Sequence, residues 1–221
     1  MRLRSPTVRD EDSTMLQKIA SLVSCTLLLA TVSVSASTGL PTVRIDDATV
    51  VGFTEGTSTS FLGIPFAQPP VGKLRLQLPQ PIARHTGVIN ATAFGNQCIQ
   101  QDLSTPTVPS SSSLSPEILG SLAQGSGGDP VPQSEDCLNI NVIVPAGTRP
   151  GAGLPVAAWI YGGGFAAGSN TNEPGAVIVN RSIELGQPVI FVSMNYRVNA
   201  FGFLGGSEIQ NAGLGNLGLH D

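Results

Sequence analysis

Apolar residues run unbroken through two stretches late in the chain. "LPVAAWIYG", whose core is Pro155 to Ile160, and "QPVIFVSMNYR" (Gln187 to Arg197) both read as buried strands. Runs apolar at successive positions suit central strands with both faces covered by helices. Between them, Gly175 to Leu185 predicts a helix. Strand, glycine-rich turn, helix and strand then follow in the order of an α/β protein. "CLNINVIV" (137–144) alternates instead, as a strand with two unlike faces does. Nearer the start, "TVRIDDATVVGF" (Thr42 to Phe53) sets Asp46 and Asp47 between two alternating runs and predicts a hairpin. Ser60 opens a further strand, which Pro65, Pro69 and Pro70 break, because proline cannot donate to a sheet ladder.

Two stretches depart from this pattern. In the first, Lys18 precedes an apolar segment from Ile19 to Val34, and "VSA" ends at Ala36 with the small residues of a cleavage site. Residues 1–36 therefore read as a secretory signal peptide, with a retained anchor as the alternative. The apolar segment is short for a membrane span and rich in Ser and Thr. Residues 1–14 are charged and unpatterned, an extension that translation from Met15 would remove. The second departure runs from Ile99 to Ser134, where Ser, Pro and Gly dominate. A loop of that length reads as a lid, a binding loop or a disordered insertion. Inside it, Ser115 is a helix cap, Pro116 and Glu117 suit a first turn, and Ile118, Leu119 and Leu122 share one face. A short amphipathic helix is expected there.

Composition narrows the class. Apolar residues are 41% and charged residues 12%, too apolar for a disordered chain. With 26 Gly and 17 Pro, a helical bundle is excluded as well. The net charge of −4, with no basic cluster, argues against a nucleic-acid partner. Export would remove Cys25 with the signal and leave Cys98 and Cys137, an even pair in an oxidising compartment. A disulfide between them would contribute ~3–4 kcal/mol; two free buried thiols are the alternative. Asn90 in "NAT" and Asn180 in "NRS" are glycosylation sequons. No cofactor and no metal are expected. "GLGNLG" (Gly213 to Gly218) fits a dinucleotide fingerprint by letter, but a polar loop precedes it where a strand is needed, so it reads as a tight loop.

The candidate chemistry sits in "WIYGGGFAAG" (Trp159 to Gly168). Three consecutive glycines after a strand present backbone amides at the carboxyl end of a sheet, where α/β proteins build their sites. Such amides stabilise an oxyanion during acyl transfer, and missing side chains let the oxygen approach. A tight turn without a ligand is the alternative.

"FLGIPFAQPPVGKLRL", "SEDCLNINV", "WIYGGGFAAG" and "VSMNYRVNAFGFL" occur in order, and together they resemble the type-B carboxylesterase/lipase family. That family includes secreted fungal lipases, sterol esterases, cholinesterases and neuroligins. The resemblance runs from about Thr42 to Asp221 and implies an α/β-hydrolase fold over residues 37–221. It implies that Gly163 and Gly164 donate two oxyanion N–H groups, with Gly162 shaping the turn. It matches Cys98 and Cys137 to the family's first disulfide, which staples residues 99–136 as a lid. In the fungal lipases that lid covers the active site and meets lipid when open. Arg75 with Glu135, and Arg197 with Asp221, match two ion pairs of structural rather than catalytic role. The implied partner is an ester or lipid substrate.

The family's chemistry needs a Ser nucleophile in a Gly-x-Ser-x-Gly elbow, then Asp or Glu, then His. No such pentapeptide occurs here. His85 lies in an early loop and His220 precedes any nucleophile, so both read as surface or structural residues. The catalytic Ser, acid and His are expected beyond Asp221, which makes the fold incomplete and the 221-residue chain inactive. The expectation is the amino-terminal portion of a secreted carboxylic ester hydrolase. The alternatives are a non-catalytic, cholinesterase-like adhesion protein, or a truncated product that does not fold alone.

Overall fold

The computed structural model describes residues 39–100 and 131–221. The signal segment, the extension before Met15 and the expected helix at Ser115 lie outside those residues.

A five-stranded sheet forms the centre. It uses β3 (Phe53–Glu55), β4 (Ser58–Pro65), β8 (Asn139–Pro145), β9 (Val156–Ile160) and β10 (Ile190–Met194), in the order β3-β4-β8-β10-β9. Only the β10/β9 pair is parallel, Ile190 lying beside Val156 and Met194 beside Ile160. Parallel neighbours need a crossover, and α1 (Gly175–Glu184) supplies it at the predicted place. Its Val179 is fully buried against Leu62, Ile143 and Phe191. The helix starts at a glycine because a Cβ on Gly175 would lie 2.3 Å from the Phe191 ring.

The opposite face of the sheet meets a small one. There β1 (Thr42–Ile45) and β2 (Asp47–Val51) form the predicted hairpin, and β5 (Thr86–Asn90) runs parallel to β2. Val50 and Ala91 pack on Phe61 and Ile64, with Ile140 and Val142 beside them. The alternation in 137–144 thus sends Ile140 and Val142 to the small sheet. Asn139, Asn141 and Ile143 point to the other face, where all three are buried. The strand at Ser60 begins two residues earlier, at Ser58, and Pro65 ends it as expected. Its register shifts between Phe61 and Ile64, where the Gly63 N–H donates to the Asn141 Oδ1 at 2.9 Å.

Two expectations change. Val156 to Ile160 is not a buried central strand: every residue of β9 is exposed. The strand stands last in the sheet order, and α1 packs on β4, β8 and β10 instead of on it. The residues before "GLGNLG" are not a loop but a short helix, α3 (Ser207–Ala212), which follows α2 (Asn199–Phe203). Gly213 closes α3 in the left-handed conformation, and the fingerprint residues form the tight loop anticipated.

Cys98 and Cys137 form a disulfide, so the free-thiol alternative is set aside. Cys98 ends β6 (Gln97–Cys98), which pairs with β7 (Gln133–Ser134). These strands bring together the two legs of the long loop.

Candidate active site

The chain leaves β9 at Ile160 and enters the glycine turn directly, while β10 ends alongside at Met194. Because the two strands are parallel, both carboxyl ends open on one cavity of about 350 Å³. Gly162, Gly163 and Gly164 form part of its wall, with Phe165, Met194 and Leu219 among the apolar side chains facing it.

The three glycines are not equivalent. A Cβ on Gly163 would lie 1.9 Å from the Ala167 carbonyl oxygen, and its φ of 142° is one that side chains rarely adopt. The Gly163 carbonyl in turn accepts the N–H groups of Ala166 (3.1 Å) and Ala167 (3.3 Å). Gly163 is therefore required by the turn's own backbone. Gly164 faces open space but has a left-handed φ of 61°, which the turn's backbone itself demands. Gly162 faces open space at an ordinary φ and is explained by neither packing nor conformation. Among the described residues, no hydrogen-bond acceptor takes the N–H of Gly163 or Gly164. Unpartnered amides at the rim of a cavity suit an acceptor that arrives from outside.

Aromatic rings support the turn. Tyr161 and Tyr196 stack with ring centroids 4.4 Å apart. The Tyr161 hydroxyl donates to the Tyr196 carbonyl at 2.7 Å, and the Tyr196 hydroxyl donates to the Tyr161 carbonyl at 2.9 Å. Burial pushes the pKa of both phenols up, Tyr161 far above its ordinary value. Both stay neutral donors across the physiological range.

Behind the turn lies a lattice of buried amides that patterning alone did not reveal. The side-chain amides of Asn139 and Asn195 both donate to the carbonyls of Asn96 and Cys137. The Asn195 Oδ1 accepts the Asn170 N–H at 2.9 Å. The Asn141 amide donates to the Asn170 carbonyl, as does the Ser193 hydroxyl. Segment 169–171, just past the glycine turn, is thereby tied to β8, β10 and the disulfide. Four asparagines close together in space but spread over 139–195 leave no local signal in sequence.

Both predicted ion pairs form. Arg75 holds Glu135 through two hydrogen bonds, Nε to Oε2 at 2.6 Å and Nη2 to Oε1 at 2.5 Å. Hydrogen bonding to that carboxylate raises the Arg75 pKa further. Arg197 meets Asp221 through Nε at 2.8 Å, Nη2 at 2.5 Å and its main-chain N–H at 2.9 Å. Their side chains are 3% and 0% exposed, so this pair is fully withdrawn from water.

Neither histidine lines the glycine cavity, although Leu219 and Asp221, on either side of His220, both do. His220 is exposed beside the short 3-10 turn Leu217–Leu219. His85 acts structurally, with Nδ1 lying 3.0 Å from the Asp46 carboxylate and Nε2 lying 3.0 Å from the Pro65 carbonyl. Of the sequons, Asn90 is exposed at the end of β5, with the Thr92 hydroxyl donating to its Oδ1. Asn180 lies within α1 and accepts from the Thr57 hydroxyl. Among the described residues, no group of three or more His, Cys, Asp or Glu side chains is placed to hold a metal ion. No helix among them is long and apolar enough to cross a membrane.

Comparison with known proteins agrees with this architecture. The model of the carboxylesterase family matches residues 39–221, and the chain belongs to that family. Lipase 4 of Diutina rugosa is 44% identical over 192 residues, which cover 86% of this chain and 34% of that protein. Acetylcholinesterase of Danio rerio is 40% identical over 163 residues, covering 73% of this chain and 23% of that protein. The crystal structure of Aspergillus niger EstA superposes with a TM-score of 0.63 at 32% identity, over 82% of this chain and 30% of that one. The fold is that of the α/β-hydrolases. The chain spans about a third of the length of the curated lipases it matches.

Proposed function

We propose that this chain is the amino-terminal portion of a secreted carboxylic ester hydrolase of lipase type. The observation that carries the reading is the pair of amides at Gly163 and Gly164, without an acceptor among the described residues and set at the carboxyl end of β9 on the rim of an apolar cavity. An ester carbonyl placed there becomes an oxyanion when attacked, and the two N–H groups meet that charge without reorganising. A serine supplied from beyond Asp221 attacks the carbonyl carbon and gives its proton to a histidine. The alcohol leaves, and water releases the acid from the acyl-enzyme. Gly162 leaves the mouth of the turn open to the substrate.

Several features support the incompleteness of the fold. Strand β9 is exposed along its length, and Val156 and Ile160 present large apolar surfaces at 60% and 66% exposure. An apolar strand at a sheet edge calls for a covering partner. Names such as "Secreted lipase 1" among the relatives support export, and the segment at 1–36 provides a signal for it. The Ser/Pro/Gly-rich stretch between the disulfide legs serves as the lid. Asn90, exposed at a strand end, is the better glycosylation acceptor of the two.

Sequencing the transcript through and past the codon for Asp221 tests the reading. An open frame that reaches Gly-x-Ser-x-Gly, then Glu or Asp, then His supports it. The same frame with the serine replaced moves the protein to the non-catalytic adhesion class. An immediate stop removes the enzymatic reading. The 221-residue chain alone should show no turnover of a short p-nitrophenyl ester above a heat-killed control.

A further inference from the structure

Resting on the reading of Gly163 and Gly164 as carbonyl donors, we propose that Gln100 is a positioning residue for the glycine turn, acting through Gly168. One side-chain amide grips both polar groups of that glycine. The Gly168 N–H donates to the Gln100 Oε1 at 2.6 Å, and the Gln100 Nε2 donates to the Gly168 carbonyl at 3.1 Å. This is the pairing a neighbouring β-strand would offer, supplied here by a side chain 68 residues away in sequence.

The grip is itself anchored. The Gln100 Nε2 also lies 3.1 Å from the Gln97 Oε1 and 3.3 Å from the Cys98 carbonyl. The Gln100 main-chain N–H donates to the Gln133 Oε1 at 3.1 Å. The side-chain amide is therefore held by Gln97 and by the disulfide residue Cys98, and the Gln100 main chain by Gln133 of β7.

Gly168 is where such a grip has leverage. Its φ is 126°, and a Cβ there would lie 2.3 Å from the Tyr161 ring and 2.7 Å from the Gly162 carbonyl oxygen. Its neighbour Ala167 supplies the carbonyl against which Gly163 rests. Residues 167–168 are thus the wall that supports 162–163 from behind, and Gln100 fixes that wall. Oxyanion donors work only when held within a fraction of an ångström of the developing charge. A residue that never touches substrate can therefore control turnover through this wall.

The test uses the 15N-labelled chain, wild type and Gln100→Met, which keeps the length of the side chain and removes both hydrogen bonds. In the wild type, exchange of the Gly168 amide is expected to be at least ~10-fold slower than in a free peptide, although it belongs to no helix or strand. In Gln100→Met that protection is lost, and the Gly163 and Gly164 amide resonances shift with it. Two results overturn the proposal. One is an unprotected Gly168 in a wild-type chain whose β8 and β10 amides are protected, a measurement that decides even if the variant does not fold. The other is a variant in which Gly168 changes while Gly163 and Gly164 stay in place. In a longer product that hydrolyses esters, Gln100→Met lowers kcat by ~10-fold or more with KM nearly unchanged; an unchanged kcat overturns the positioning role. Absence of turnover from the wild-type longer product overturns the hydrolase reading instead, and the amide resonances still decide the role of Gln100.

Discussion

Tyr161 and Tyr196 exchange hydrogen bonds: each hydroxyl donates to the other's main-chain carbonyl, and the rings stack between them. The pair joins the residue after β9 to the second residue after β10. It fixes the spacing of the two strand ends that open on the cavity. The Tyr161 hydroxyl also accepts the Tyr196 N–H at 3.3 Å.

Replacing Tyr161→Phe leaves two main-chain groups of Tyr196 without these partners, while Tyr196→Phe removes one partner from Tyr161. An unsatisfied buried polar group costs ~1–3 kcal/mol. Tyr161→Phe should lie at the upper end of that range and Tyr196→Phe at the lower. Urea midpoints of the two variants, compared at equal denaturant slope, check the order.

The glycine turn yields a contrast within three residues. Gly163→Ala drives a methyl into the Ala167 carbonyl, a backbone atom that cannot step aside. The turn must open, and the variant should be recovered mostly as insoluble protein. Gly162→Ala meets open space at an ordinary φ and should fold like the wild type. In an active longer product it would still slow turnover by crowding the carbonyl. Soluble yield and near-ultraviolet circular dichroism separate the two; equal behaviour would show that the turn is not built around Ala167.

Much of the central sheet was legible because its apolar runs have strand length and the helix between them has a clear face. The hairpin at Asp46 and Asp47 was legible for the same reason, a short polar break between alternating runs. Burial was not. An apolar run such as Val156 to Ile160 records what a strand needs, not what covers it, and here its neighbours leave it exposed. The converse holds for Asn139 and Asn141, which read as polar positions yet are buried because partners from distant segments satisfy them. At the candidate site, the glycines were visible as a run. That Gly163 serves the turn itself, and that Gln100 grips Gly168, depends on contacts that only the fold creates.

Arg197 and Asp221 make the sharpest energetic case. The pair is withdrawn from water, and Arg197 also donates to the Gln77 carbonyl at 2.9 Å. Removing one member strands the other's charge, so Arg197→Met or Asp221→Asn should each cost ~3–5 kcal/mol. The double replacement should cost less than the sum of the singles, because neither charge is then left behind. A double-mutant cycle by chemical denaturation measures the difference. Additive losses would mean that the two side chains contribute independently.

The clasp at His85 should make stability depend on pH. Its two ring nitrogens face a carbonyl and a carboxylate, and both acceptors are satisfied only when the imidazole carries two protons. The Pro65 carbonyl first, and the Asp46 carboxylate second, raise the His85 pKa above its ordinary 6.5. A proton held more tightly by the folded chain than by the unfolded one stabilises the fold while it is bound. That contribution is full below 6.5 and is lost as pH rises through the raised value. Asp46 acts from the acid side: hydrogen bonds from the His85 main chain and ring lower its pKa from 3.8, so its contribution is lost as pH falls through the lowered value. The nearby Asp47 is already engaged by Arg84, whose Nη2 lies 2.9 Å from Oδ1. The clasp is therefore whole between pH 3.8 and 6.5 and weakens above. Because it ties the β1–β2 turn to the end of β4, the small sheet should loosen first as pH rises. Melting temperatures of wild type and His85→Gln, taken from about pH 5 to about pH 9, should converge at the alkaline end and separate toward the acid end. A constant gap across that range would show that the imidazole acts by packing alone.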